Sequence, residues 1–494
     1  MHIPHFASRP SFPVFPCPSA RRLAAQCGGL LWLLMVLPCA AQSGLLTASA
    51  ADAPVDAVYT VRAADGVNTL RAVTAAALCP AVRFDAGPPT PMALRVGPAT
   101  VPARPASAGG DSKPSVFGVR TCELAWPVDA HRAELGGQVL AAPARTIRHI
   151  VIIADTGCRM KGAESAFQAC NDPQSWPFAR VAASAAARKP DLIVHLGDLH
   201  YRESPCDSNK ADCTGSVWGY GYDAWQADFF IPARPLLAAA PWVFVRGNHE
   251  ICARAGQGWF RFVDSQAWRP ERSCNDPAQD SEADFSAPYG VALDPDTQFV
   301  VFDSSRTSGK ALHAGDAAFA HYAGELQQAE QLAALRPHNI FLSHHPLLAF
   351  APARTPGQLT PGGNAGLQSV FAASQGERLL PPSFSFSMHG HIHLFEAMSF
   401  QGAQAASFVL GNSGSAEVGD APERADVGTA VYTNALLEDY VGQTERGFAT
   451  LDLSDSAAAG AAGEWTLTEF DSTGQPRIRC ELVGHKSHCT HLQK

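Results

Sequence analysis

The sequence predicts an α/β fold, in which buried strands alternate with helices from about residue 147 onward. Short apolar runs have the length of buried strands, and two longer runs have the composition or spacing of helices. The predicted strands are 147–154, 191–196, 241–245, 298–302, 339–342, 384–388, 408–410 and 448–453. The predicted helices are 178–188 and 322–335. Alternation of this kind is typical of a largely parallel sheet.

The region before this domain differs in composition. Residues 52–146 contain short β-like runs, such as 58–61 and 93–96, separated by stretches rich in proline, glycine and serine. We interpret this region as a small β-sandwich-like N-terminal domain without visible catalytic chemistry. The catalytic domain is then predicted at 147–470, and residues 471–494 are predicted to form a C-terminal tail.

The first 41 residues have the organisation of a signal peptide. Arg21 and Arg22 precede the apolar run 30–37, which is followed by small residues at 39–41. The apolar run is shorter than the roughly 20 residues that a membrane-spanning helix needs. The alternative is a buried core helix. We therefore predict an exported protein, periplasmic or secreted, with no transmembrane anchor in its mature form.

The cysteine content fits an oxidising compartment. The chain has 13 cysteines, and ten remain after the predicted cleavage. An even number of cysteines in an exported protein predicts disulfides. The sequence does not determine their connectivity, and the simplest arrangement pairs neighbours along the chain, such as Cys79 with Cys122 and Cys480 with Cys489. Pairing of Cys158 with Cys170 would brace the loop that contains Asp155. The alternative is a free Cys158 thiol acting as a metal ligand.

Composition and charge restrict the class of partner. Hydrophobic residues make up 46% of the chain and charged residues 17%, which is typical of a globular protein. The formal net charge is −9, and the predicted cleavage removes three arginines and no acidic residue. No block of basic residues appears. The sequence therefore predicts no surface for nucleic acid or anionic membranes.

Five predicted strands are each followed by a cluster of potential metal ligands. The clusters are Asp155-Thr156-Gly157, Gly197-Asp198-Leu199-His200-Tyr201, Gly247-Asn248-His249-Glu250, Ser343-His344-His345-Pro346 and His389-Gly390-His391-Ile392-His393. Each of the first four clusters alone is typical of a turn or of buried histidines, whereas the alternating histidines at 389, 391 and 393 share one face of an extended segment and indicate a metal site. Because sites in open α/β sheets form outside the carboxyl ends of strands, we expect the five loops to converge. Two carboxylates with several histidines suit two neighbouring metal ions.

This ordered set resembles the signature of the calcineurin-like metallophosphoesterase superfamily, over roughly residues 147–412. That family commonly has Asp-x-His in the first motif and Gly-Asp-x-x-Asp in the second. Here Gly157 stands at the histidine position and Tyr201 at the second aspartate position. The pair of departures resembles the purple acid phosphatase variant, in which the tyrosine binds a ferric ion. The resemblance implies the metallophosphoesterase four-layer α/β/β/α sandwich, with two sheets flanked by helices.

The resemblance also implies a set of site residues. The implied ligands are Asp155, Tyr201 and His393 for the first metal, Asn248, His344 and His391 for the second, and Asp198 bridging both. A phenolate from Tyr201 is a hard anionic donor, which favours Fe(III) at the first site. Zn, Fe or Mn all suit the second site. His249 is expected to contact the phosphate or to protonate the leaving group.

Other polar residues lie near these motifs in the sequence. Glu250 is expected to orient His249, and His345 to line the pocket or to point elsewhere. His200 and Arg159 are expected to touch the substrate or to be surface residues near the cleft. The function that the resemblance implies is hydrolysis of phosphomonoesters through a metal-bridging hydroxide. The alternatives are a phosphodiesterase or nucleotide hydrolase on the same scaffold, or a non-catalytic metal-binding module.

Overall fold

The computed structural model describes residues 54–104, 112–207, 209–353, 358–416, 419, 422–453 and 465–492. The predicted signal peptide, residues 1–41, lies outside the described residues. The first part of the described chain contains ten short strands. They are β1 (Ala57–Arg62), β2 (Asn68–Thr74), β3 (Ala81–Phe84), β4 (Pro89–Pro91), β5 (Ala93–Val96), β6 (Ala99–Val101), β7 (Ser115–Phe117), β8 (Arg120–Ala125), β9 (Arg132–Leu135) and β10 (Gln138–Ala141).

The remaining chain alternates strands with helices, as the sequence predicts. The strands are β11 (His149–Ile153), β12 (Met160–Lys161), β13 (Ala166–Phe167), β14 (Leu192–His195), β15 (Trp242–Phe244), β16 (Tyr289–Ala292), β17 (Thr297–Val301), β18 (His338–Leu342), β19 (Phe350–Pro352), β20 (Leu359–Pro361), β21 (Phe384–His389), β22 (Phe395–Phe400), β23 (Ala406–Leu410), β24 (Ala430–Tyr432), β25 (Ala435–Gln443), β26 (Gly447–Leu453), β27 (Trp465–Asp471), β28 (Pro476–Val483) and β29 (Lys486–His491). The α-helices are α1 (Phe178–Ala186), α2 (Tyr222–Trp225), α3 (Arg234–Leu237), α4 (Gly256–Gly258), α5 (Asp280–Ala283), α6 (Ala317–Ala333) and α7 (Ala365–Gln375). Shorter 3₁₀ turns include Asn248–Glu250, and π-helical turns lie at Gln226–Phe230 and Trp259–Val263.

Two large sheets contain most of the strands. The first has eleven strands in the order β29-β28-β27-β26-β11-β14-β15-β1-β2-β8-β5. The second has eight in the order β16-β17-β18-β21-β23-β22-β25-β24. Parallel pairing joins β11, β14 and β15 in the first sheet, and β17, β18, β21 and β23 in the second. Strands buried on both faces have nearly continuous apolar sequences, which is why the sequence located them.

The two sheets pack face to face, and helices cover their outer faces. Because successive side chains of a strand point to opposite faces, β11 contributes to two apolar cores. Ile150 and Ile152 share a core with Ile340 of the second sheet. Val151 and Ile153 instead share a core with residues of α1. Helices α6 and α7 pack on the second sheet in a third core. The predicted four-layer α/β/β/α sandwich is confirmed.

The first sheet extends across both predicted domain boundaries. Strand β1 pairs in parallel with β15, through Val61 and Trp242, although these residues are far apart in sequence. Strands β28 and β29, within the predicted C-terminal tail, form the opposite edge of the same sheet. The β-rich region 52–146 also contributes a separate four-stranded sheet of β10, β9, β3 and β4.

Among the described residues, five disulfides join cysteines that are neighbours along the chain, which agrees with the simplest arrangement expected from the sequence. They are Cys79–Cys122, Cys158–Cys170, Cys206–Cys213, Cys252–Cys274 and Cys480–Cys489. Because Cys158 is paired, the alternative of a free thiol ligand next to Asp155 was wrong. In the part of the chain that the structure describes, no helix is long and apolar enough to cross a bilayer.

Candidate metal centre

The loops that carry the predicted ligands meet where the carboxyl ends of the parallel strands of both sheets come together. Three of the loops follow β11, β14 and β15 of the first sheet, and two follow β18 and β21 of the second. All seven predicted ligands lie in this one place. The site is therefore assembled from both central layers of the sandwich.

Asp155, Tyr201 and His393 form a buried group that we call the tyrosine cluster. The Tyr201 hydroxyl donates to Asp155 Oδ1 at 2.7 Å and lies 2.9 Å from Asp198 Oδ2 and 2.8 Å from His393 Nε2. A phenol has one hydrogen and cannot satisfy two carboxylates at once. A cation at this position would be bound by all of these atoms, so the donor set fits a metal ion.

Asn248, His344 and His391 form a second group, the asparagine cluster. Asn248 Oδ1 lies 3.1 Å from both His344 Nε2 and His391 Nδ1. His344 Nε2 is also 3.1 Å from Asp198 Oδ2. One ligand atom from each of Asp198, His344 and His391 lies within 4.8 Å of the others. The Asp198 carboxylate is therefore within reach of both clusters.

Backbone carbonyls set the orientation of two of these imidazoles. His344 Nδ1 lies 2.8 Å from the Leu196 carbonyl oxygen, and His393 Nδ1 lies 2.5 Å from that of Ala416. An imidazole that donates its Nδ1 hydrogen to a carbonyl presents the lone pair of Nε2. In both residues, Nε2 is the nitrogen that faces the clusters.

Three of the predicted ligands have a strained backbone. Asp155, Asp198 and His391 have φ values of 53°, 58° and 74°, in the left-handed region that non-glycine residues rarely occupy. Such a conformation costs about 1–3 kcal/mol each and persists only where the surroundings enforce it. The Glu250 carboxylate enforces the Asp198 loop, because it accepts from the N–H groups of Asp198 at 3.0 Å and Leu199 at 2.9 Å.

The site residues interact strongly by charge. Burial alone would raise the pKa of Asp198, but His344 and His249 hold that pKa well below its usual value. Burial is likewise outweighed at Asp155, whose pKa His393 lowers. Burial and the two carboxylates raise the pKa of Tyr201 well above its usual value. A bound cation favours the anionic form of a coordinated group, so it would act in the opposite direction on the phenol.

Comparison with known proteins agrees with this geometry. The family model of the calcineurin-like phosphoesterases matches residues 148–395, which is half of the chain. The chain belongs to the calcineurin-like phosphoesterase family. It is therefore a metal-dependent phosphoric ester hydrolase with a binuclear metal centre, and its substrates are phosphate esters.

Two solved structures are similar to this chain. A purple acid phosphatase from yellow lupin (Lupinus luteus) seeds is 17% identical, with a TM-score of 0.50; the match covers 89% of this chain and 74% of that one. The structure of PhoD is 11% identical, with a TM-score of 0.47 and coverage of 89% and 93%. At 17% identity, the likeness to the lupin phosphatase is one of fold alone. A comparison with curated protein sequences finds no match.

Gly157 occupies the first-motif position at which the family commonly has a histidine, and the structure leaves little space there. A Cβ atom at Gly157 would lie 2.8 Å from the Tyr201 nitrogen and 2.9 Å from both Asp228 Oδ2 and the Leu199 carbonyl oxygen. These distances leave no space for any side chain. Gly157 of the first motif is therefore packed against the backbone of the second motif and against the Asp228 carboxylate.

Asp228 is a residue of this site that the sequence did not reveal. Its buried carboxylate accepts from the N–H groups of Cys158 at 3.0 Å and Tyr201 at 2.7 Å, and from Arg202 Nε at 2.6 Å. It therefore ties the first ligand loop of the phosphoesterase to the second. No motif surrounds Asp228 in the sequence, so nothing local could have identified it.

The His249 ring contacts Tyr201 and Glu203, whereas the sequence predicted a contact with Glu250. Its ring packs on that of Tyr201 with centroids 3.8 Å apart, and its Nδ1 lies 2.9 Å from Glu203 Oε1. The expectation that Glu250 orients His249 was wrong, since the Glu250 carboxylate binds backbone amides. Burial and the charge of Arg254 lower the pKa of His249 to about 4. Burial opposes ionisation of Glu203, but Arg254 lowers its pKa to about 2.

His345, His200 and Arg159, which the sequence also singled out, differ in burial and in contacts. His345 lies beside the asparagine cluster, with its ring centroid 4.1 Å from that of His391, and its N–H donates to Ser304 Oγ. His200 is fully buried between aromatic rings, so both expectations for it were wrong. Arg159 is partly exposed and pairs with Glu164, and its contact with substrate stays a prediction.

Proposed function

We propose that this phosphoesterase is exported and hydrolyses phosphomonoesters, with Fe(III) in the tyrosine cluster and Zn, Fe or Mn in the asparagine cluster. The observation that supports this proposal most directly is the position of the Tyr201 hydroxyl. It lies within 2.9 Å of one oxygen of Asp155 and one of Asp198. Such a concentration of anionic oxygen donors favours a small, highly charged cation.

In this proposal the seven ligands position the substrate by holding the metal pair. Two bound cations would lower the pKa of a shared water and neutralise the phosphoryl oxygens during in-line displacement. Asp198 sets the spacing of the two positions, because its Oδ2 lies 2.9 Å from Tyr201 Oη and 3.1 Å from His344 Nε2. The strained backbone of Asp155, Asp198 and His391 persists only because the surroundings enforce it, and the same surroundings hold these donors in place before the substrate arrives.

His249 is the residue that we assign to the substrate itself. Its Nε2 lies 3.8 Å from Asp198 Oδ2, so this edge of the ring faces the space beside the shared carboxylate. A phosphoryl group bound at the metal pair would lie within its reach. We assign to His249 a hydrogen bond to the phosphoryl group or protonation of the leaving oxygen, which typically contributes about 10²–10⁴-fold.

Export is supported by the disulfides. The described residues contain five disulfides, which are typical of proteins that fold in an oxidising compartment and rare in the cytosol of mesophiles. Together with the signal-like segment at 1–41, they favour a periplasmic or secreted protein. Expression with cell fractionation and N-terminal sequencing of the product tests this part, and an uncleaved cytosolic product would contradict it.

The first experiment is a visible absorption spectrum of the purified mature protein, with metal analysis of the same sample. We expect bound iron and a broad band from tyrosinate–Fe(III) charge transfer. A colourless protein that holds two zinc or manganese ions would overturn the ferric assignment alone. A protein that binds no metal, even after reconstitution, would overturn the assigned ligands.

The second experiment is an assay of matched substrates. Hydrolysis of p-nitrophenyl phosphate and bis(p-nitrophenyl) phosphate is compared at equal concentration over a range of pH. We expect the monoester to be preferred in kcat/KM. Preference for the diester would replace monoester hydrolysis by phosphodiesterase activity on the same metal centre.

A further inference from the structure

A buried ion pair lies directly behind His249. Arg254 Nε donates to Glu203 Oε1 at 2.5 Å, and the two residues are 8% and 1% exposed. Burying two charges costs desolvation free energy, so we asked which neighbouring group this ion pair holds in place. Neither residue is among the predicted metal ligands.

Both members of the pair contact the His249 ring. Glu203 Oε1 lies 2.9 Å from His249 Nδ1, and Arg254 Nη2 lies 2.7 Å from both ring nitrogens. Because Arg254 Nη2 is equally close to the two ring nitrogens, it packs against the imidazole ring and is not in line with the N–H bond of either nitrogen. Arg254 Nη1 also donates to the Asn248 carbonyl oxygen at 3.0 Å. The Arg254 guanidinium therefore contacts three groups at once. They are the His249 ring, the Asn248 carbonyl and the Glu203 carboxylate.

We propose that Arg254 is a positioning residue, which together with Glu203 locks His249 so that its Nε2 faces the phosphoryl group. This inference rests on the proposed function of His249. A group fixed in a productive geometry avoids the entropic cost of being ordered at each turnover, and a misplacement of about 1 Å can cost about 10²-fold in rate. Arg254 then acts on catalysis through His249 and makes no independent contribution.

A double-mutant cycle tests this dependence, because residues that act through one another have non-additive effects. The four proteins are the wild type, R254M, H249A and the double variant. We expect R254M to lower kcat by about 100-fold. In the H249A background the same substitution should change kcat by less than about 3-fold, because the group that Arg254 positions is absent. An equal loss in both backgrounds would overturn the proposal, since Arg254 would then contact the substrate directly or act on the fold.

Conservative variants keep the test decisive if R254M does not fold. R254K retains the charge but cannot contact Glu203, the ring and the Asn248 carbonyl together, so its kcat should fall between those of the wild type and R254M. E203Q should resemble R254K, and its effect should also vanish in the H249A background. The matched control is R272K. Arg272 is a buried arginine that pairs with Asp264 at 3.3 Å and lies outside the metal centre, so its effect should persist unchanged in the H249A background.

A second readout separates this inference from the proposed function. Inorganic phosphate binding is measured by calorimetry on the same four proteins, after metal analysis has confirmed equal loading. We expect the loss of affinity caused by R254M to disappear in the H249A background. If the wild type binds phosphate but hydrolyses no phosphate ester, the proposed function fails and this cycle still decides the role of Arg254. A wild type that binds no phosphate would overturn both.

Discussion

The tyrosine and asparagine clusters differ in charge and in access to solvent, although they share Asp198. The tyrosine cluster contains a carboxylate and a phenol, and all of its residues are buried. The asparagine cluster contains an amide and two imidazoles, and both Asn248 and His391 are partly exposed. The first therefore offers hard anionic donors in a closed environment, and the second offers neutral donors near solvent.

This difference has a consequence for metal binding. Anionic oxygen donors in a buried site favour a trivalent ion, whereas an amide and two imidazoles suit several divalent ions. The tyrosine cluster is also reinforced by the Cys158–Cys170 disulfide and by Asp228, which binds both of its first two loops. We therefore expect an inert metal in the tyrosine cluster and an exchangeable metal in the asparagine cluster.

The largest effect should come from the residue that the clusters share. Asp198→Asn removes the carboxylate that lies within 3.1 Å of atoms from both clusters. We expect turnover to fall by about 10³-fold or more, equivalent to the several kcal/mol that metal ions supply to such reactions. Metal analysis should show reduced occupancy at both positions. The control is Asp129→Asn, whose side chain is 99% exposed, and loss of activity there would make the result non-specific.

Tyr201→Phe tests the tyrosine cluster alone. It removes the hydroxyl that contacts Asp155, Asp198 and His393 and leaves the ring that packs on His249. We expect the visible band to disappear and activity to fall by at least about 100-fold, since even residues outside the ligand set cost about 10–100-fold. A retained band would show that the chromophore is not Tyr201.

Asn248→Ala should affect the asparagine cluster and leave the colour intact. The substitution removes the oxygen that lies 3.1 Å from both His344 and His391. We expect loss of one divalent ion and an activity loss of about 10–100-fold, partly restored by excess divalent metal. Metal titration followed by activity measurement checks this, and simultaneous loss of iron would mean that the clusters are not separable.

The smallest effect is expected from Gly157→Ala. The added methyl would lie 2.8–2.9 Å from atoms of Tyr201, Asp228 and Leu199, so the first two ligand loops would have to move apart. We expect the free energy of unfolding to decrease by about 1–3 kcal/mol, as for overpacked cores. Gly118→Ala, where the added atom would have no neighbour within 4 Å, is the control. Equal stability of the two variants in chemical denaturation would contradict the packing argument.

The five clusters that the sequence singled out converge in the structure because each comes after an apolar strand. Strand position and motif order are local properties, so Asp155, Asp198 and Asn248 could be placed without any knowledge of packing. The same reasoning misplaced Glu250. Residues 248–250 form a 3₁₀ turn, in which successive side chains point in directions about 120° apart. Adjacency to His249 in sequence therefore did not produce contact with its ring.

Sequence by itself determined the α/β class and the identity and order of the proposed ligands. Only the tertiary structure decided that β1 joins the sheet of β15, that Gly157 must be small beside Tyr201, and that Asp228 links two ligand loops. It alone also placed Arg254 and Glu203 against His249. The physical reason is that periodicity and motifs record local conformation and burial, whereas these contacts join residues from separate strands and loops. Their meeting depends on how the two sheets and their connections pack.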